Sequence, residues 1–253
     1  MIIVKSQAEI IKIEAACKIV AEILEDLKTL IKPGITTFEI ESHVENRIKQ
    51  RKAVAAFKGY RGYPASVCVS INEQVVHGIP SRKVRIKDGD IVSIDFGAIV
   101  DGFYGDAAVT VPAGEISAES SRLLKVTEEA LYIGIEKAVV GNRVSDISAA
   151  IQKHVESNGF SVVRAFVGHG IGRSLHEDPQ IPNYGRQGEG PRLKSGMTLA
   201  IEPMVNSGVP DVDILGDGWT AVTADRRPSA HFEHTIAVMN SGPCILTKIE
   251  DFR

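Results

Sequence analysis

Residues 91–111 read IVSIDFGAIVDGFYGDAAVTV, two apolar, β-like segments on either side of a turn at Asp101-Gly102. Each segment carries one acid, Asp95 in the first and Asp106 in the second. A carboxylate that points into a core is unfavourable unless a cation neutralises it, and neither segment contains Lys or Arg. A hairpin through this turn would bring the two carboxylates to one place.

Two further acids lie in apolar, strand-like runs later in the chain. Glu202 lies in MTLAIEPM and Glu233 in FEHTIAV, again without Lys or Arg, and His169 lies in the glycine-rich run VGHGIG. A single acid of this kind is more often satisfied by a local partner. Four carboxylates and one imidazole without local cations instead favour a bound metal, and their combined charge is sufficient for two ions.

The types of donor narrow the chemistry. Oxygen donors with one imidazole suit Mn, Fe, Co or Zn better than copper. Two ions need bridging carboxylates, and such a pair lowers the pKa of bound water, which predicts metal-assisted hydrolysis. The glycines around His169 predict a ligand or substrate loop. A phosphate loop is the alternative, although the run lacks the Lys-Ser/Thr pair of a P-loop.

Two histidines outside this set could contact a substrate. His77 lies in VVHGIP and His176 in SLHEDP. We interpret them as donors to a carbonyl oxygen or a developing oxyanion near the metal, with surface-loop histidines as the alternative. His234 adjoins Glu233 on one predicted strand, so it should face the opposite side of the sheet. Glu177 is interpreted as a loop charge.

Hydrophobic periodicity predicts an α+β chain. Helices are predicted at 7–31, 37–51, 118–140 and 145–157, and β-rich segments near 66–71, 91–100, 106–111, 161–167, 198–204 and 232–239. Helix, helix and strands therefore occur twice in the same order. Gly34 and Gly141 end the first helix of each set. We expect a single catalytic domain, residues 1–253, whose pseudo-repeat halves are roughly 1–115 and 116–253, with the site between them.

Composition limits the function classes. The 253 residues are 43% hydrophobic and 24% charged, and the net charge of −3 does not indicate nucleic-acid binding. The three cysteines form neither a disulfide framework nor a zinc ribbon. We find no signal-peptide pattern and no apolar run of about 20 residues. We therefore expect a soluble, cytoplasmic protein without membrane or specific nucleic-acid partners.

Several longer motifs carry a family resemblance. They run in order along most of the chain: GYPASVCVSINEQVVHGIP (62–80), DGDIVSIDFG (88–97), GHGIGRSLHE (168–177), IEP (201–203), WTAVT (219–223) and FEHT (232–235). With them the chain resembles the type I methionine aminopeptidases, metallopeptidases of the pita-bread fold. The resemblance implies two pseudo-symmetric helix-helix-strand halves around a curved, mainly antiparallel sheet.

The resemblance also implies roles for individual residues. It makes Asp95, Asp106, His169, Glu202 and Glu233 the ligands of two divalent ions (Co, Mn, Fe or Zn). Asp106 and Glu233 would bridge both ions, Asp95 would belong to one ion, and His169 and Glu202 to the other. Glu202 would also shuttle a proton during attack of metal-activated hydroxide on the first peptide carbonyl.

The remaining implied residues contact the substrate. His77 and His176 would steady the tetrahedral intermediate, and the methionine pocket would be lined by Tyr60, Tyr63, Cys68 and Trp219. The chain departs from the common pattern at four positions, none of them an implied ligand: Phe57, Val76, Leu175 and His231. These departures bear on the shape of the pocket and on its tolerance for the second substrate residue.

The implied function is removal of the initiator methionine from nascent proteins, with a preference for a small second residue. We expect a monomer that acts on N-terminal methionine peptides, with transient ribosome contact. A proline-directed aminopeptidase of the same fold is one alternative. A binding protein that has kept the fold without catalysis is the other, but all five ligand positions are filled.

Overall fold

The computed structural model describes residues 1–249. Its α-helices are α1 (Gln7–Leu30), α2 (Thr37–Gln50), α3 (Ala118–Glu136) and α4 (Val144–Ser157), and a short 3-10 helix spans Tyr60–Gly62. Its strands are β1 (Val54–Ala55), β2 (Cys68–Ile71), β3 (Gln74–Val76), β4 (Asp90–Val100), β5 (Phe103–Ala113), β6 (Ser161–Val162), β7 (Gly168–Gly170), β8 (Glu177–Ile181), β9 (Thr198–Ile201), β10 (Met204–Asn206), β11 (Val212–Ile214), β12 (Ala221–Thr223), β13 (Ser229–His231), β14 (Glu233–Met239) and β15 (Gly242–Ile245).

A nine-stranded antiparallel sheet forms the centre of the molecule. Its strand order is β1-β4-β5-β14-β9-β7-β8, with β2 beside β4 and β15 beside β14. Two three-stranded sheets, β13-β10-β6 and β11-β12-β3, flank it. The hairpin predicted from residues 91–111 is present as β4 and β5, which are paired over their whole length.

The first helices begin where their capping residues predict. Ser6 and Glu9 form a capping box before α1, and Thr36 and Glu39 form one before α2. Helix α1 lies directly on β5 at Gly105. The contact is so close that a Cβ added to Gly105 would lie 2.6 Å from the Cys17 backbone nitrogen. This close approach brings the first helix against the strand that carries Asp106.

The two halves repeat the same turn. Gly34 donates its N–H to the Ile86 carbonyl at 2.8 Å, and Gly141 donates to the Leu193 carbonyl at 3.1 Å. The guanidinium groups of Arg85 and Arg192 donate back to the carbonyls of these two glycines. The helix-helix-strand duplication predicted from the sequence is thus visible as equivalent hydrogen bonds.

Several predicted boundaries differ from the structure. Helix α3 ends at Glu136 rather than 140, since residues 137–142 turn so that Gly141 can pair with Leu193. The predicted strand 161–167 is reduced to Ser161–Val162. The predicted strand 198–204 divides after Ile201, because Pro203 has no N–H for a strand ladder. This break places Glu202 at the end of a strand.

Within residues 1–249, none of the helices combines the length and apolar character that crossing a bilayer would require.

Candidate metal centre and pocket

Three of the predicted ligands come from adjacent strands of the central sheet. Ala108 of β5 is paired with Asp95 on one side and with Glu233 on the other. Asp106 lies two residues before Ala108 on the same strand, and therefore on the same face. Because paired residues share a face of the sheet, the three carboxylates lie on the same face.

The other two predicted ligands come from the second half. His169 lies in β7 opposite Ala200 of β9, and Glu202 follows the end of β9. His169 Nε2 lies 3.5 Å from Glu202 Oε1. The Nδ1 atom of His169 lies 2.9 Å from the Gly170 carbonyl. Because a carbonyl only accepts, Nδ1 carries the proton and the lone pair of Nε2 faces the acids.

The glycines around His169 do not form the loop predicted for them. They belong to β7, where a Cβ on Gly168 would lie 2.5 Å from the Ala200 carbonyl oxygen. A Cβ on Gly170 would lie 2.2 Å from the Asp178 carbonyl oxygen. These glycines are therefore required for close strand packing, which holds His169 rigidly.

All five predicted ligands line one pocket. Donor atoms of Asp106, His169 and Glu233 lie within 4.8 Å of one another, and all three residues are buried. Asp95 and Glu202 extend this cluster within the same pocket but are not part of the tightest group. The tertiary structure thus brings together, from both halves of the chain, the five side chains predicted as ligands.

The acids are electrostatically unsatisfied. Burial raises the pKa of Asp95 to about 7 and of Glu202 to about 8, and burial together with the neighbouring acids raises the pKa of Asp106 and Glu233 well above the usual range. Buried carboxylate oxygens of Asp95, Asp106 and Glu233 have no hydrogen-bond partner. Among residues 1–249, no Lys or Arg forms an ion pair with any of these acids. Such a cluster fits bound cations.

The acids and His169 form part of the lining of a cavity of about 150 Å³. The rings of Tyr63 and Trp219 pack edge to face, with their centres 5.1 Å apart. The Tyr63 hydroxyl donates a hydrogen bond to the Gly78 carbonyl at 3.0 Å. Burial raises the pKa of the Cys68 thiol well above its usual range, so it stays neutral. Besides the acids and His169, the walls are Phe57, Tyr60, Arg61, Tyr63, Cys68, His77, Leu175, His176 and Trp219.

The two predicted substrate histidines lie at this cavity. His77 has a backbone φ of 63°, a strained conformation outside glycine, and its ring centre lies 5.3 Å from that of Phe166, with the two rings nearly perpendicular. His176 Nδ1 lies 2.9 Å from the Tyr60 hydroxyl, and its ring centre lies 4.2 Å from that of His169. Burial lowers the pKa of His77 to about 4 and of His176 to about 3, so both rings are neutral at pH 7.

His231 also belongs to the site, although the sequence indicated it only as a departure from a family pattern. It is 1% exposed, and its Nε2 lies 3.6 Å from Glu202 Oε2. The sequence did offer one indication of this position: His231 lies two residues before Glu233, and residues two apart in an extended chain share a face. His234 faces the opposite side, as predicted, and its Nδ1 lies 2.9 Å from the Thr247 hydroxyl.

Comparison with known proteins places this arrangement in a family. The family model "Metallopeptidase family M24" matches residues 11–240. Methionine aminopeptidase 1 of Bacillus subtilis is 54% identical over 249 residues, 98% of this chain and 100% of that protein. The methionine aminopeptidase of Escherichia coli K12 is 45% identical over 98% of this chain and 94% of its own length.

Solved structures agree in fold. The methionine aminopeptidase of Thermotoga maritima superposes with a TM-score of 0.97 at 50% identity, over 98% of this chain and 100% of that one. The prolidase of Pyrococcus furiosus gives a TM-score of 0.79 at 25% identity, over 98% of this chain and 66% of that one. The pita-bread fold and the resemblance predicted from the sequence are confirmed, and the family implies that the site binds divalent metal. The chain belongs to metallopeptidase family M24, with the methionine aminopeptidases as its full-length relatives.

Proposed function

We propose that this chain is a metal-dependent aminopeptidase that removes the N-terminal methionine from newly made proteins by hydrolysis. The observation that carries the proposal is the pocket itself. Five residues with oxygen or nitrogen donors line a cavity of about 150 Å³, and aromatic and apolar side chains, among them Tyr63 and Trp219, form other parts of its lining. The full-length relatives at 54% and 52% identity, named methionine aminopeptidases, support the same reading.

We assign Asp95, Asp106, His169, Glu202 and Glu233 as ligands of two divalent ions. The three-residue cluster within 4.8 Å and the unpartnered carboxylate oxygens support this assignment. Asp106 and Glu233, which are 3% and 2% exposed, would hold the ions from the most buried part of the cluster. Divalent ions held there would polarise the scissile carbonyl and lower the pKa of a water molecule.

The chain's own residues would supply the proton transfers and the orientation of the substrate. Glu202, beside His169, would take the proton from the attacking water and deliver it to the leaving amine. Neutral His77 and His176 would each donate a hydrogen bond to the peptide carbonyl as it becomes an oxyanion. The Tyr60 hydroxyl, 2.9 Å from His176 Nδ1, would orient that ring.

The cavity would hold the methionine side chain. Tyr60, Tyr63, Cys68 and Trp219 would present aromatic edges and a neutral thiol to it. Such walls suit an unbranched, polarisable thioether. Because the cavity is small and the donor cluster is part of its lining, we expect a small second residue to be preferred over a long one.

The proposal extends to the cellular setting. The substrates would be nascent chains that begin with methionine, met in the cytoplasm during transient contact with ribosomes. One chain supplies all the proposed site residues, and we propose that the protein acts as a monomer.

Proline-directed cleavage is the second candidate. The prolidase of Pyrococcus furiosus shares the fold at a TM-score of 0.79. The two functions differ in where the substrate is recognised. A methionine aminopeptidase requires the first side chain, whereas a proline-directed enzyme requires the second residue.

One experiment separates these candidates. Metal-stripped protein is reconstituted separately with Mn, Fe, Co or Zn, and bound metal is quantified. Methionine release from Met-Ala-Ser, release from the matched Met-Lys-Ser, and cleavage of Ala-Pro-Ser are then measured. Release from Met-Ala-Ser alone supports the proposal. Equal turnover of the Lys peptide would remove the small-residue preference, and cleavage of Ala-Pro-Ser would favour the second candidate. No turnover with any metal would favour a binding protein.

A further inference from the structure

A buried ion pair ties the segment that carries His176 to the N-terminal part of the described chain. Lys5 Nζ lies 2.6 Å from Glu177 Oε2, and the two side chains are only 4% and 7% exposed. The interpretation of Glu177 as a loop charge was therefore wrong. A pair this buried is strongly constrained in geometry, because either charge left alone would be uncompensated.

The second oxygen of Glu177 holds the turn that precedes His176. Glu177 Oε1 accepts the backbone N–H groups of Arg173 at 2.8 Å and Ser174 at 3.2 Å. The Gly172 carbonyl in turn accepts the Tyr104 N–H at 2.8 Å. There is no free space inside this turn, since a Cβ on Gly172 would lie 2.6 Å from Lys5 Cε.

Lys5 is itself fixed from several directions. Its backbone N–H donates to the Gly196 carbonyl at 2.8 Å, and its ammonium also donates to the Ile3 carbonyl at 3.2 Å. A Cβ on Gly196 would lie 2.6 Å from the Lys5 carbonyl oxygen. The cation therefore connects the turn to a rigid part of the fold.

His176 is the residue directly before Glu177. His176 lies in the bend that leads into β8, and Glu177 is the first residue of that strand. Glu177 points to Lys5, and His176 points into the pocket, where its ring lies 4.2 Å from His169. The ion pair thus sets the backbone from which the His176 ring projects.

We propose that the Lys5–Glu177 ion pair is a positioning element that places His176 over the substrate carbonyl. The inference rests on the substrate role proposed for His176. Neither Lys5 nor Glu177 lines the pocket, so the pair would act through the position of His176. A displacement of about 1 Å at a catalytic group lowers the rate by roughly 100-fold.

The test compares Lys5→Met, Glu177→Gln and the double variant with wild type. Lys125→Met is the matched control, because Lys125 forms an exposed ion pair with Glu129 at 3.9 Å. Each protein is assayed for kcat and KM on Met-Ala-Ser and for metal affinity by calorimetry. Folding is followed by thermal unfolding. Lys5→Met is also built on His176→Ala.

We expect Lys5→Met and Glu177→Gln to lower kcat by about 10- to 100-fold, while KM and metal affinity change less than about threefold. On the His176→Ala background, Lys5→Met should lower kcat by less than about twofold. The double variant keeps the side-chain volumes at both positions and the acceptor oxygen at position 177, but it removes both charges. It should therefore fold, and its kcat should stay low.

Three results would overturn the inference. The first is a Lys5→Met variant with the kcat of wild type. The second is an equal loss of kcat from Lys5→Met in the wild-type and His176→Ala backgrounds. The third is a double variant that recovers both stability and kcat. Failure of the proposed function is a different result, since wild-type protein would then release no methionine from Met-Ala-Ser with any metal.

Discussion

His231 Nε2 lies 3.6 Å from Glu202 Oε2, while the other oxygen of Glu202 lies 3.5 Å from His169 Nε2. The carboxylate proposed to transfer the proton is therefore placed between two imidazoles. His231 is buried, and its Nε2 forms no hydrogen bond. Its only neighbouring acceptor within ion-pair distance, among the described residues, is Glu202.

This relationship predicts a clear difference between two substitutions at position 231. His231→Gln keeps an N–H donor near Glu202 and should keep kcat within about threefold. His231→Leu removes the donor and should weaken metal binding by about 10- to 100-fold. Calorimetric titration with Mn²⁺ measures the affinity, and kcat is measured at saturating metal. Equal affinities for the Gln and Leu variants would show that the contact does not orient Glu202.

Asp106→Asn should abolish metal-dependent turnover while the protein remains folded. The change removes one charge from the centre of the cluster, where Asp106 is 3% exposed and close to His169 and Glu233. Bound metal per chain and circular dichroism are the measurements. Surviving activity with full metal content would contradict the bridging role.

His77→Ala should lower kcat by about 100-fold with little change in metal affinity. His77 lines the pocket but is not among the clustered donors. Kinetics on Met-Ala-Ser and calorimetry on the same preparation separate the two effects. Retained kcat with lost metal affinity would instead make His77 a ligand.

Metal removal should destabilise the protein, and more so at high pH. Burial raises the pKa of Asp95 to about 7 and of Glu202 to about 8 in the metal-free fold. The folded form then binds more protons than the unfolded form, whose acids titrate near about 4. Stability of the metal-free protein should therefore fall as pH rises from about 4 through about 8.

Thermal unfolding of chelator-treated protein at about pH 5 and about pH 9 checks this sign. The metal-loaded protein is the control, because bound cations replace the protons and stabilise the fold by mass action. A metal-free Tm that is higher at the alkaline pH would mean that the acids are compensated in some other way.

Gly105→Ala should destabilise the fold by about 2–3 kcal/mol. The added Cβ would lie 2.6 Å from the Cys17 backbone nitrogen, so α1 would have to move away from β5. Urea unfolding measures the loss. Gly102→Ala is a matched control for the added methyl group, since that Cβ would meet nothing within 4 Å, although its φ of 76° adds local strain. A smaller loss at Gly105 than at Gly102 would contradict the close helix–strand packing.

Much of the fold could be predicted because it depends on local signals. The capping boxes at Ser6 and Thr36 and the apolar spacing that follows them place α1 and α2 to within a residue or so. The turn at Asp101-Gly102 places the central hairpin. The short strands such as β7 could not be predicted, because their pairing partners lie far away in sequence.

By itself, the sequence determined which buried carboxylates require a cation to neutralise them. Asp95, Asp106, Glu202 and Glu233 stand in apolar strands without Lys or Arg, and charge burial is unfavourable wherever such strands pack. Only the tertiary structure decided what surrounds them. The contacts of His231 with Glu202 and of Lys5 with Glu177 join residues through space. They depend on strand register and on the packing of distant segments, which no local pattern of residue types encodes.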